Sequence, residues 1–401
     1  MKTRIAGLVL WALVLAFPLM AQTRGGGVQF RGGPMNSLLE AARKANKPLF
    51  IEIYSPTSHV CQSFIPIFEE KRVGTFYNSK FISGKLDIAN RETVAFLEKN
   101  KLYIPALPFF LYYSPQGKLV HVAQSNNIAD EVIRHGTDAL SPASQSLGMR
   151  QRYEKGERSS NFLIDYGLYA KVTRDTATNI RVMNDYVRQI PANSYASQTN
   201  WLVLQKLIMD VDNPLFQYML GHLDQYLKYG ADQVRSTAEN ILMSSLYSSR
   251  GSQYPVAKIL AIRDGLQKIG IDPKVAANRT LLPEIYAYFR ADQSGRAASR
   301  MDSHSNQSSF TLPEYLYVIR LFNGRSPDAA DAPTVVNWTN KALTLARLPK
   351  EQADVYYEQA EAYHRAGKSA DALRAAQKAL ELARAAQMDT RRNTLQLDRL
   401  K

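Results

Sequence analysis

Residues 48–66, Pro-Leu-Phe-Ile-Glu-Ile-Tyr-Ser-Pro-Thr-Ser-His-Val-Cys-Gln-Ser-Phe-Ile-Pro, constrain the fold of this chain more than any other stretch. Five strand-favouring residues broken by one acid predict a strand, the Pro56 region predicts a turn, and the residues after that turn predict a helix kinked by Pro66 one turn in. Cys61 is the only cysteine in 401 residues. No internal disulfide can therefore form, whatever the compartment, and a dithiol cycle would need a second protein.

The segments around this stretch come in a definite order. Residues 36–46 place Leu38, Leu39, Ala42 and Ala45 at helical spacing, with Asn36 or Ser37 as N-cap, and lead through Asn46-Lys47-Pro48 into the strand. Residues 73–78 read as a helix end, residues 81–87 as a strand, and residues 91–100 as a helix with Val94, Phe96 and Leu97 on its apolar side. Residues 109–113 and 119–123 form a hairpin around Ser114-Pro-Gln-Gly117, and residues 127–140 a closing helix.

This pattern resembles the thioredoxin family. Aligned on the family's Trp-Cys-x-x-Cys motif, Thr57 stands at the Trp, Ser58 at the first cysteine and Cys61 at the second. Pro66 falls on the proline that kinks the active-site helix. Residues 104–113, Ile-Pro-Ala-Leu-Pro-Phe-Phe-Leu-Tyr-Tyr, match the cis-proline strand, with Pro108 at the cis-proline and Leu107 before it. The resemblance covers about the first third of the mature chain. It implies that Glu52 takes the place of a buried acid with a raised pKa, and that Leu107 and Pro108, beside Ser58 and His59, form a shallow edge to which an extended peptide adds as a strand. It also implies a scaffold without its nucleophile. A serine hydroxyl does not ionise near neutral pH and forms no disulfide, and Cys61 at the second position is expected to be an inert buried thiol, with a catalytic role its weaker alternative.

Beyond residue 141 apolar residues recur every three or four positions. Phe162, Tyr166 and Tyr169, then Ile180, Met183, Tyr186 and Val187, then Trp201, Leu204, Leu207 and Ile208 predict helices packed on one another. Pro191, Pro214, Pro255, Pro273, Pro283 and Pro313 mark breaks between them, and the polar, serine-rich residues 292–309 read as a long surface loop. Residues 353–382 resemble one tetratricopeptide repeat, with Tyr356 at the usual Trp site and Ala360, Tyr363, Ala372 and Ala379 in place; Arg384 stands where the repeat's last proline is expected, so the second helix is free to run on. One repeat cannot bury its own face, so the preceding helices must stack on it.

Lys2 and Arg4 ahead of an apolar run to Met20 read as a secretory signal cleaved before Gln22. The expected organisation is a signal at residues 1–21, a flexible glycine-rich lead-in at 22–33, a thioredoxin-like α/β domain at 34–141, an all-α helical-hairpin region at 142–348, and the tetratricopeptide-like repeat with a C-terminal helix at 349–390. A composition of 45% hydrophobic and 21% charged residues is that of globular material. The net charge of +14 is spread among acids without a basic block, which argues against a nucleic-acid partner and leaves attraction to an anionic envelope surface. The six histidines lie apart in sequence and none has a third ligand at suitable spacing, so neither a metal site nor a cofactor is expected. The preferred reading is a redox-inactive, exported binder of protein or unfolded peptide. A thiol–disulfide oxidoreductase acting through Cys61 alone is the alternative, and a cell-wall polysaccharide binder the third reading.

Overall fold

The strand at residues 49–54 lies at the centre of a five-stranded sheet in the computed structural model, which describes residues 26–401. In chain order the strands are β1 (Phe30–Arg31), β2 (Leu49–Tyr54), β3 (Ile82–Asp87), β4 (Phe109–Tyr113) and β5 (Leu119–Ala123). They lie side by side as β1-β3-β2-β4-β5. β3 is parallel to both β1 and β2, while β4 is antiparallel to β2 and to β5. A mixed sheet flanked by helices is an α/β arrangement, the class expected for this region. β4 is buried along its whole length and β2 along all but Tyr54, which accounts for their near-continuous apolar sequences. The turn joining β4 to β5 closes with Gly117 N–H donating to the Ser114 carbonyl at 2.9 Å, and the positive φ of Gly117, +84°, is one that a side chain would resist.

Helices α1 (Met35–Ala45), α2 (His59–Gln62), α3 (Ile65–Glu69), α4 (Lys71–Lys80), α5 (Arg91–Lys99) and α6 (Ala129–Leu140) complete this part. α1 starts earlier than expected, with Pro34 rather than Asn36 or Ser37 at its N-cap, and it ends at Asn46 in the left-handed conformation that asparagine tolerates. In α5 Leu97 is buried and Phe96 half-buried, as expected, whereas Val94 is exposed and Thr93 takes the other inward position. One face of the sheet carries an aromatic cluster of Phe50, Phe64, Phe68, Tyr77, Phe110 and Tyr112. Phe50 stacks on Tyr112 at 5.2 Å, and the buried Tyr77 hydroxyl donates to the Val132 carbonyl at 2.7 Å, so the cluster has no unmet phenol there.

The expected signal falls outside the described residues, as do residues 22–25 of the lead-in. From Gly26 onward the lead-in is part of the fold. Val28 N–H donates to the Phe68 carbonyl at 2.7 Å, and Asn78 bonds both Gln29 N–H and the Gly27 carbonyl. A Cβ on Gly74 would lie 2.1 Å from the Gly26 carbonyl oxygen and 2.4 Å from the Gly27 carbonyl carbon. These glycines allow two backbones to touch, which sequence composition alone presents as flexibility.

The described residues divide into two compact units, one running to Glu157 and including Tyr169–Asp175, the other made of Arg158–Leu168 and Thr176–Lys401. The second is helical throughout. Phe162, Tyr166, Met183, Tyr186, Val187, Trp201, Leu204, Leu207 and Ile208 are buried, as their spacing predicts. Two expectations are corrected. Residues 292–309 are not a loop: Ser294–Gln307 is a helix whose buried side is Ser294, Ala297, Ala298, Met301 and Ser305, a face of mostly small residues that composition does not mark as core. Pro283 does not end a helix but lies inside Pro273–Arg290. Its missing N–H deprives the Arg279 carbonyl of its helical donor, and the Tyr247 hydroxyl supplies one at 2.8 Å. Near the C-terminus Pro349–Arg365 and Ser369–Ala385 meet through the alanines Ala360, Ala375 and Ala376. Ser369–Ala385 continues through Arg384, where the repeat's last proline is expected, and ends at Ala386, with Gln387 left-handed. No helix among the described residues is long and apolar enough to cross a membrane.

Candidate functional site

At the C-terminal end of β2 the chain leaves the sheet at Ser55 and turns back into α2, with Ser58 N–H donating to the Ser55 carbonyl at 3.2 Å. Ser58 is the N-cap of α2, and its hydroxyl accepts the Cys61 N–H at 3.3 Å, the bond a serine is favoured to make there. Thr57, one residue earlier, shares a hydrogen bond with the Ser55 hydroxyl at 3.0 Å. His59 and Val60 point outward, Val60 with 57% of its surface exposed. The single kinked helix expected after the turn is three short segments, α2, α3 and α4. Pro66 sits at the start of α3, where a helix needs no N–H from it.

Cys61 is 5% exposed and its Sγ accepts the Ser55 N–H at 3.5 Å. The thiol thus lies beneath the turn that Ser58 caps. Across the sheet, Ile53 pairs with Phe109, so Pro108 and Leu107 enter at the same end from which residues 55–58 depart. The Leu107-Pro108 peptide is cis, as the match to the family strand implies. Leu107 is half-buried, outside the ladder, and its N–H and carbonyl bond to no other backbone group among the described residues. The four residues expected at a peptide-binding edge are therefore brought to one end of one sheet.

Glu52, in the middle of β2, is 1% exposed. Burial pushes its carboxyl pKa up, as the resemblance implies, and the Lys85 ammonium opposes the shift. Lys85 stands directly opposite in β3, with Nζ 2.8 Å from Glu52 Oε2. The same Nζ lies 4.5 Å from the centre of the Phe30 ring, 5.1 Å from that of Phe68 and 5.5 Å from that of Tyr54. The ammonium is thus held among aromatic faces as well as by the carboxylate. Sequence reasoning missed Lys85, because strand register is not written locally.

The pair has a measurable signature. Because the folded pKa of Glu52 is raised, its contribution favours the folded state below the unfolded value near 4.5 and is lost as pH climbs through the folded value. Lys85→Met keeps the apolar contacts with the rings and removes the counter-charge. It is expected to cost about 2 kcal/mol at pH 8, less than a fully enclosed pair because Lys85 reaches water, and distinctly less at pH 5. Urea midpoints of both proteins at the two pH values check this; equal differences at both would dissociate Glu52 from the effect.

A second group of polar side chains comes together on the same unit. His121 of β5 meets His135 and Asp138 of α6, with their ligand atoms all within 4.8 Å of one another. The histidines lie apart in sequence, and the fold brings two of them together here. Only the three-residue step from His135 to Asp138, which puts both on one helix face, was visible beforehand.

No protein-family model matches the chain. No curated protein matches it either. Among solved structures, the solution structure of a candidate disulphide-isomerase from Bacteroides thetaiotaomicron aligns with 29% of this chain and 97% of its own length, at 21% identity and a TM-score of 0.27.

Proposed function

We propose that this chain is a redox-inactive binding protein which holds an extended protein segment at the end of the sheet formed by Ser58, His59, Leu107 and Pro108. The observation that carries this reading is the pairing of a serine at the helix cap with a lone, buried thiol beneath it. The attacking sulfur is missing, while the edge on which a peptide would lie keeps at Leu107 a backbone that bonds to no other backbone group among the described residues, beside the exposed His59 and Val60. A strand added there gains main-chain hydrogen bonds at Leu107 and apolar contact at Val60. Export to an envelope space, and a tetratricopeptide-like role for the C-terminal helices as a second binding surface, belong to the same proposal and rest on sequence features. Thiol–disulfide exchange through Cys61 alone is the weaker reading, since a thiol buried to this extent and already accepting a backbone N–H is poorly placed to attack.

Binding of a permanently unfolded probe, reduced and carboxamidomethylated lactalbumin, monitored by fluorescence anisotropy, tests the proposal. Saturable binding that weakens at least about fivefold in Val60→Asp is expected, a loss of about 1 kcal/mol from one desolvated anchor. Unchanged affinity in Val60→Asp would remove the surface from this end of the sheet.

A further inference from the structure

We propose that His121, His135 and Asp138 form a divalent metal site of the zinc class, with two imidazole nitrogens and one carboxylate oxygen as ligands and a fourth position open to water. Three features support it. The two Nε2 atoms are buried and have no hydrogen-bond partner among the described residues, an arrangement that costs free energy unless a partner is supplied. His121 is only 6% exposed, so its unpartnered Nε2 is shut off from solvent, and the residue belongs to one group of ligand atoms with His135 and Asp138. A bound zinc ion holds such atoms at about 2.0–2.2 Å, so tetrahedral ligands stand roughly 3.3–3.5 Å apart. Atoms already within 4.8 Å of one another reach that spacing by small side-chain rotations.

The surroundings fit the same chemistry. On the other side of the His121 ring, Nδ1 lies 3.0 Å from the Ser146 hydroxyl, which also accepts the Val122 N–H at 3.2 Å. When Nε2 gives its lone pair to a metal, the ring proton resides on Nδ1, and Ser146 Oγ accepts it, which fixes the ring as the outer partners of metal-bound histidines do. The Ser146 N–H, now 3.2 Å from Nδ1, gives way to that proton. Arg134 is the competitor, with Nη1 3.7 Å from Asp138 Oδ2; it is largely exposed and free to swing into water. Two nitrogens and one oxygen suit zinc, cobalt or nickel rather than calcium or magnesium, which take oxygen shells.

The test uses the chain without a polyhistidine tag. Equilibrium dialysis against Zn2+ should give one equivalent per chain, and Co2+ should develop the intense visible absorption of a four-coordinate ion. His135→Ala and Asp138→Asn should each weaken binding at least about tenfold, whereas His364→Ala, exposed near the end of Pro349–Arg365, should leave it unchanged. Circular dichroism establishes that each variant is folded, and Asp138→Asn decides the matter alone if His135→Ala is not. Absence of saturable binding in the parent chain, or parental affinity in Asp138→Asn, would overturn the proposal.

Discussion

Added to insulin with dithiothreitol, this protein will leave the rate of reduction at the background of the reductant alone, and Ser58→Cys will raise it at least about tenfold. The first half follows from electronic structure. Disulfide exchange needs a thiolate to attack sulfur, and the atom at the cap of α2 is a hydroxyl oxygen, which neither ionises near pH 7 nor bonds stably to Cys61. The second half follows from geometry already in place. The Cys61 N–H that now points at Ser58 Oγ from 3.3 Å would, in Ser58→Cys, point at the new sulfur and stabilise its anion. One turn separates the two positions, the spacing at which the Cα separation of about 4.4–6.8 Å needed for a disulfide is met. Glu52 lies on the adjoining strand with its carboxyl raised by burial, so a proton acceptor of suitable kind is retained. Turnover by the parent chain would refute the first half. A Ser58→Cys protein whose two thiols stay free in mild oxidant would show that α2 no longer has the redox geometry.

What sequence conveyed about this fold was what is local. The apolar strand with its acid, the capped turn, the cis-proline segment and the Ser114–Gly117 hairpin each announce themselves within a few residues. What it did not convey depends on which segments meet. Lys85 is one polar residue in an alternating strand until the register of β2 on β3 sets it against Glu52. β1 is two residues long and preceded by glycines, so its place in the sheet depends on Gly26 and Gly27 fitting against Gly74. Ser294–Gln307 buries small side chains where hydrophobic periodicity looks for large ones. Pro283 is tolerated because Tyr247, distant in sequence, satisfies the carbonyl it orphans. His121 and His135 are separated by the end of a strand and the first turns of a helix, and only the packing of α6 on β5 joins them.

The helical unit holds its own buried charge, and breaking that pair should be the largest single-residue loss of stability there. Asp331 is completely buried. Arg365, 34 residues on and mostly enclosed, grips it with both arms, Nη2 to Oδ1 at 2.6 Å and Nη1 to Oδ2 at 3.0 Å. The same Nη2 donates to the Asp328 carbonyl at 2.7 Å, and the Ser326 hydroxyl donates to Asp331 Oδ1 at 2.8 Å. The pair thus ties the segment before the Ala332–Leu345 helix to the end of Pro349–Arg365. Arg365→Met leaves a carboxylate with one hydroxyl for company in an environment that water does not enter. The expected cost is about 3–5 kcal/mol, well above the 0.5–1.5 kcal/mol or so of an ordinary hydrogen bond, because the loss is dominated by an uncompensated charge rather than by missing contacts. That cause makes a sharper statement possible. Asp331→Asn added to Arg365→Met removes the stranded charge, so the double variant should be more stable than Arg365→Met alone although it has lost more native polar groups. Denaturant unfolding of the two single variants and the double would decide it. A double variant less stable than either single would mean that the contacts, not the charge, hold these segments together.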